Sequence, residues 1–180
     1  MLEGATMVSV VGVIPARGGS KSIPRKNVRV FLGKPLLAWT IEATRESGVF
    51  DRLVLSTDDA AIAETGRRLG AEAPALRPKE LAQDTSPTAP AVKHILQVLQ
   101  QQGGVADIVV ILEPTSPGRR PFHLREVVEL MLSSAPFPWR ACRRSRTTHC
   151  LAKEAGAANE RFSTQLSTLT RNLVSAMLGD

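Results

Sequence analysis

The chain has 180 residues, of which 43% are hydrophobic, and this is enough for one domain with a buried core. No apolar run approaches the roughly 20 residues of a membrane-spanning helix, residues 1–4 do not open a signal peptide, and two cysteines exclude a disulfide framework. The net charge of +6 is concentrated in two clusters and aromatic residues make up 4%, so a base-stacking nucleic-acid surface is not expected. We therefore expect a cytoplasmic protein that binds neither nucleic acid nor membranes.

Strands and helices alternate along the chain as far as Leu132. The predicted strands cover 8–14, 52–56 and 108–112. Four helices are predicted: one that begins at Leu36, one over 60–69, one with an apolar face at Val92, Ile95, Leu96 and Leu99, and one over 123–132. This alternation predicts an α/β fold with a mostly parallel sheet and helices on both of its faces.

Cationic and small side chains are concentrated in the string IPARGGSKSIPRKN, residues 14–27, which follows the first predicted strand. Small residues let backbone N–H groups approach oxyanions, and arginine and lysine neutralise several negative charges at once. The spacing is neither that of a Walker A loop nor that of Gly-x-Gly-x-x-Gly. The string therefore predicts a phosphate-binding loop of another type.

Two further polar loops follow predicted strands, one after Ser56 and one after Leu112. In open α/β sheets, ligands bind outside the carboxyl ends of the strands. We therefore expect the three loops to meet at one site.

The ordered string at 14–27 resembles the signature of the sugar-acid cytidylyltransferases, and among them the N-acylneuraminate cytidylyltransferases. Three further strings agree with that family in order and spacing: FDRLVLSTD at 50–58, LRPKELAQDT at 76–85 and LEPTSP at 112–117. The resemblance covers residues 8–132 and implies a Rossmann-like nucleotidyltransferase fold.

The resemblance implies a reaction in which CTP is joined to the anomeric hydroxyl of a nine-carbon keto-acid sugar and pyrophosphate is released. It also implies Mg²⁺ as cofactor and a homodimer. Two alternatives stay open: a cytidylyltransferase for a related keto-acid sugar (legionaminate, pseudaminate or octulosonate type), and a nucleotide-binding fragment without catalysis. The octulosonate type is disfavoured, because its loop differs from the string PTSP at 114–117.

The matched positions supply the predicted site. Arg17 and Lys21 are the predicted catalytic residues, as ligands of the triphosphate and of its transition-state charge. The predicted substrate-binding residues are Ala16, Gly18, Ser20, Lys26, Asn27, Arg77, Asp84, Thr85, Glu113, Thr115 and Ser116. The metal ligands stay unassigned.

Several of these residues have a second interpretation. Asn27 is predicted to hold phosphate or ribose through its amide, or else to form a turn. Arg77 is predicted to donate hydrogen bonds to cytosine, or else to form a loop ion pair with Glu80 or Asp84. Asp84 either closes over the nucleoside or caps the helix that follows it.

Glu113 departs from the family, which usually has glutamine at that position. A carboxylate only accepts hydrogen bonds and adds negative charge beside a triphosphate, so we expect weaker substrate binding, a shifted sugar preference or a contact with Mg²⁺. Asp58 is a second candidate for a metal or sugar contact, although capping of the helix that opens at Ala60 is the preferred interpretation.

The resemblance ends after Ser134, where the family's sugar-binding segment and its paired Mg²⁺-binding aspartates have no counterpart. Residues 137–149 instead carry an arginine cluster without periodicity. A one-base shift of the reading frame from Pro138 onward permits a string that looks like the family's next strand and its His-Pro segment. We therefore divide the chain into a nucleotide-binding domain at 1–134 and an aberrant tail at 135–180, which we expect to be out of frame and poorly ordered.

Overall fold

The computed structural model describes residues 8–19, 23–104 and 106–133, together with the backbone of two strands at 141–145 and 148–152. In chain order the elements are β1 (Val10–Pro15), β2 (Val30–Phe31), β3 (Lys34–Pro35), α1 (Leu36–Ser47), β4 (Arg52–Ser56), α2 (Ala60–Leu69), α3 (Thr88–Gln101), β5 (Ile108–Leu112), α4 (Pro121–Ser133), β6 (Ala141–Ser145) and β7 (Thr148–Ala152). Short 3-10 helices lie at Lys26–Val28 and Lys79–Leu81. The predictions for β4, α2 and β5 are confirmed residue for residue.

The main sheet has the strand order β4-β1-β5-β7-β6. Strand β1 pairs in parallel with β4 on one side and with β5 on the other, whereas β7 pairs antiparallel with β5 and with β6. The predicted α/β class is therefore confirmed, with parallel strands at the site and an antiparallel edge. The two antiparallel strands, β6 and β7, come from residues 135–180, and the description of that tail as out of frame and poorly ordered stays a prediction.

Strands β1, β4 and β5 are buried on both faces because helices cover both. On one face, Ile14 of β1 packs in a cluster with Leu37 and Ile41 of α1, Ile62 of α2 and Leu124 of α4. On the other face, Val11 and Val13 of β1 pack with Val92 and Ile95 of α3. Burial on both faces explains why β1 and β5 read as continuous apolar runs without alternation. Among the residues described, no helix is long and apolar enough to cross a membrane.

Asp59, rather than Asp58, caps helix α2. Its Oδ1 accepts hydrogen bonds from the backbone N–H groups of Ala61 at 2.7 Å and Ile62 at 3.1 Å, as an N-cap aspartate does. Asp58 instead accepts a hydrogen bond from the N–H of Gly18 at 2.9 Å. The preferred interpretation of Asp58 as the cap is therefore wrong, because its side chain turns to the loop after β1.

Strands β2 and β3 form a hairpin with a two-residue turn, Leu32-Gly33. Both turn residues have positive φ, 49° at Leu32 and 88° at Gly33, which is the geometry that favours Asn-Gly. A leucine with a left-handed backbone is strained, and this one is 76% exposed and so contributes little burial in return.

Replacement of Leu32 by asparagine should stabilise the protein by about 1 kcal/mol, because asparagine tolerates a positive φ at this turn position. The free energy of unfolding in urea measures the gain. Leu32→Ala is the matched control: it removes the same exposed apolar surface and keeps a Cβ without a local hydrogen-bonding group, so no such gain is expected. An equal gain in both variants would mean that exposed apolar surface, and not backbone strain, limits stability here.

Candidate active site

A cleft of about 230 Å³ opens at the edge of the sheet where β1, β4 and β5 end. Its walls come from the loop after β1, the 3-10 helix Lys26–Val28, the segment between α2 and α3, and the loop after β5. The lining residues are Pro15, Arg17, Gly19, Lys26, Asn27, Arg77, Leu81, Gln83, Asp84, Ser86, Pro87, Thr88, Glu113, Pro114 and Thr115. The structure thus brings together residues of three of the four strings that carry the family resemblance, those at 14–27, 76–85 and 112–117, whereas no residue of the string at 50–58 lines the cleft.

The loop after β1 is held against the end of β4. The backbone N–H of Ala16 donates to the carbonyl oxygen of Ser56 at 2.9 Å. The backbone N–H of Gly18 donates to the side chain of Asp58. A Cβ atom on Gly18 would lie 2.8 Å from the Cβ of Asp59, closer than real side chains approach. Glycine is therefore required at this position by close packing, and its N–H is already committed within the protein.

Asn27 is buried, with 4% of its surface exposed, and lines the cleft. Its Nδ2 donates to the carbonyl oxygen of Arg17 at 2.9 Å, which sets the orientation of the amide. Its Oδ1 is buried without a hydrogen-bond partner among the residues described. Because this oxygen only accepts, it suits a hydroxyl group better than a phosphate oxygen. The choice between phosphate and ribose as the ligand of Asn27 stays a prediction.

Arg17 forms an ion pair with Asp84 across the cleft, with 2.6 Å between Nη1 and Oδ1. The two side chains are 35% and 34% exposed, so the pair is solvated and contributes little to stability. Helix α3 begins at Thr88 with Pro87 as its N-cap and without a side-chain cap. The interpretation of Asp84 as a helix cap is therefore wrong, and its carboxylate occupies Arg17.

Arg77 is 8% exposed and anchors the segment after α2 to the end of β4. Its Nε donates to Oγ of Ser56 at 3.1 Å and its Nη2 to the carbonyl oxygen of Ser56 at 2.6 Å. Burial lowers the pKa of this guanidinium; nearby Asp58 and Glu113 oppose the shift and nearby Arg17 adds to it. Arg77 therefore forms hydrogen bonds with the last residue of β4 in place of the predicted ion pair with Glu80 or Asp84.

Glu113 follows β5 directly and is half-buried in the cleft wall. Burial raises the pKa of its carboxyl group, and the positive charges of Arg119, Lys26 and Arg77 oppose that shift. Three cations from separate segments therefore surround one carboxylate.

Arg119 is a residue of this region that sequence reasoning missed. It is 7% exposed, and it donates from Nη2 to the carbonyl oxygen of Glu113 at 3.0 Å and from Nη1 to Oγ1 of Thr40 in α1 at 3.3 Å. Burial lowers its pKa to about 10, opposed by the charge of Glu113. Its neighbour Arg120 is exposed, and nothing in the sequence distinguishes the two arginines.

Of the other predicted residues, those that the structure describes do not line the cleft. Ala16 is buried in the core, Thr85 is exposed, and Gly18 is bonded to Asp58. Oγ of Ser116 is buried without a hydrogen-bond partner among the described residues. Ser20 and Lys21 lie outside the described residues, so their predicted roles stay predictions. The sequence also missed several lining residues: Leu81, Gln83, Pro87 and Thr88.

The described residues do not form a magnesium site of their own. Within those residues, no group of three or more His, Cys, Asp or Glu side chains could hold a metal ion. Asp58 and Asp59 are committed to Gly18 and to the start of α2. Mg²⁺ stays a prediction from the resemblance.

The two glycines of the loop after β1 should respond differently to alanine. Gly18→Ala should cost about 1–3 kcal/mol of stability, since the new methyl group meets Asp59 at its Cβ, which cannot swing away without breaking the cap of α2. Gly19→Ala is the matched control, because its new Cβ would meet no atom within 4 Å. Urea unfolding of both variants measures the difference, and equal stabilities would contradict the packing argument.

Comparison with known proteins places the chain in a family. The sequence profile of the cytidylyltransferase family matches residues 11–170, so this match continues past Ser134. Three relatives are named for related acids. They are the pseudaminic acid cytidylyltransferase of Campylobacter jejuni subsp. jejuni (49% identity over 105 residues, 58% of this chain and 45% of the relative), the CMP-N,N'-diacetyllegionaminic acid synthase of Legionella pneumophila subsp. pneumophila (44% over 121 residues, 67% and 52%) and the N-acylneuraminate cytidylyltransferase of Escherichia coli O18:K1:H7 (37% over 121 residues, 67% and 28%).

The chain spans about half, or less, of the length of these relatives: 45%, 52% and 28%. Among solved structures, CMP:2-keto-3-deoxy-manno-octonic acid synthetase complexed with CTP has the same fold, with a TM-score of 0.64 and 16% identity over 93% of this chain and 86% of that one. The profile match, the order of strings along the chain and the fold agree. The chain belongs to the cytidylyltransferase family.

Proposed function

We propose that the chain binds CTP in the cleft at the strand ends and transfers CMP to the anomeric hydroxyl of a keto-acid sugar, with release of pyrophosphate. The observation that carries this proposal is the convergence of Arg17, Lys26 and Arg77 on one cleft at the carboxyl ends of β1, β4 and β5. Ligands of open α/β sheets bind at such an edge, and a triphosphate needs several cations.

In the proposed reaction the sugar hydroxyl loses its proton to solvent as its oxygen bonds to the α-phosphorus of CTP, the bond from that phosphorus to the bridging oxygen breaks, and pyrophosphate leaves. Such transfers depend on positioning and charge neutralisation. Arg17 is the residue best suited to the transferring charge, because its side chain is partly exposed and its present partner is a carboxylate that phosphate oxygens can replace. Lys21 and Lys26 are proposed to assist, and Asn27 to accept a hydrogen bond from a ribose hydroxyl.

The proposed acceptor is a nine-carbon keto-acid sugar. The string resemblance indicates N-acylneuraminate, whereas the relatives of higher identity are named for pseudaminic and diacetyllegionaminic acids. All three are therefore proposed acceptors to be compared. Assembly as a homodimer in the cytoplasm is expected from the resemblance.

Pyrophosphate release from CTP and Mg²⁺ tests the activity, with each of the three sugars supplied separately. We expect release with at least one sugar, and Arg17→Ala should slow it about 100-fold or more, since it removes a charge that stabilises the transition state. Arg68→Ala is the matched control, because Arg68 is exposed on α2 and does not line the cleft.

Protection of the fold by CTP against thermal unfolding separates the remaining outcomes. Protection without release of pyrophosphate would identify a nucleotide-binding module without catalysis. Absence of both would contradict the proposed site.

A further inference from the structure

Glu113 is the acidic residue of the cleft that the proposed function leaves without a role. It lines the cleft at the end of β5, and Arg119 binds its main-chain carbonyl oxygen from behind at 3.0 Å. Arg119 is in turn held by Thr40 of α1. The backbone of Glu113 is therefore held by the buried guanidinium of Arg119, and the residue lies in the wall of the cleft where we propose that the ligand binds.

The charges that act on Glu113 come from three directions. Arg119 lies in the loop that precedes α4, Lys26 in the 3-10 helix after the first loop, and Arg77 in the segment after α2. Asp58 is a further negative group near Arg77. Even so, burial dominates, and the pKa of Glu113 lies above its ordinary value. The proton of Glu113 is therefore gained or lost closer to neutral pH than that of an exposed glutamate.

The two protonation states offer a ligand different hydrogen bonds. An ionised carboxylate only accepts, so it repels phosphate and carboxylate oxygens, which also only accept. A protonated carboxyl group can both donate and accept hydrogen bonds, as can the amide of a glutamine.

We propose that Glu113 is a specificity-determining residue of the cleft, which weakens the binding of anionic ligands while it is ionised and favours it once it is protonated. The proposal rests on the proposed binding of a nucleotide in this cleft. Glu113→Gln should therefore reproduce, at any pH, the hydrogen-bonding capacity that the natural residue has only when it is protonated.

Calorimetric titration of the full chain with CTP, at one fixed concentration of Mg²⁺ and without sugar, tests the proposal. At about pH 8, Glu113→Gln should bind CTP roughly tenfold more tightly than the natural protein, because one negative charge near the triphosphate is removed. At about pH 5.5 the ratio of the two dissociation constants should be smaller than at about pH 8, since burial raises the pKa of Glu113 and a larger fraction of the natural residue is then protonated. The ratio at each pH cancels the protonation of CTP itself.

Glu129→Gln is the matched control, because it removes the same charge from an exposed position on α4 and should leave CTP affinity unchanged. Equal affinity of the natural protein and Glu113→Gln at both pH values would overturn the role of Glu113 and leave the nucleotide site intact. A ratio that is the same at about pH 5.5 and at about pH 8 would overturn the protonation step. Failure of all three proteins to bind CTP would overturn this proposal together with the proposed function.

Discussion

Strand β1 lies between β4 and β5 and pairs in parallel with both. Towards the carboxyl ends of these strands, Pro15 lies opposite Ser56 and Val13 lies opposite Ile111. Because the strands are parallel, the chain leaves all three at the same end of the sheet, their carboxyl ends. Helices cover both faces of the sheet, so this end is where a ligand can bind. The cleft, its cations and the proposed reaction all depend on this pairing, because the loops are distant in sequence and have no other reason to meet.

Two buried arginines hold the loops at the strand ends. Arg77 donates to the carbonyl oxygen of Ser56, the last residue of β4, and Arg119 donates to that of Glu113, the first residue after β5. A buried cation is costly unless it is hydrogen-bonded, and these carbonyl groups together with the surrounding carboxylates offset that cost. Arg17 differs, since its side chain is partly exposed and its ion pair with Asp84 is solvated.

The cleft offers a ligand both signs of polarity. Arg17 and Lys26 suit phosphate oxygens, whereas Oδ1 of Asn27 needs a hydrogen-bond donor. A ligand that carries several negative charges and also hydroxyl groups satisfies both demands, and a nucleoside triphosphate is such a ligand. Glu113 adds a carboxyl group whose pKa is raised by burial, and the proposed role of this residue would link the affinity for such a ligand to pH.

The sequence by itself determined the strands β4 and β5, the helix α2 and the edge at which the site forms, because apolar periodicity, caps and turns are local properties. It did not determine which of two adjacent aspartates caps α2, where Asp59 is the cap and Asp58 binds Gly18. It also did not determine that Arg119 is buried while Arg120 is exposed. Nor did it predict that the segments at 141–145 and 148–152 extend the sheet beside β5. These features depend on which group each side chain or strand contacts in the folded chain, and segments distant in sequence come into contact only through tertiary packing.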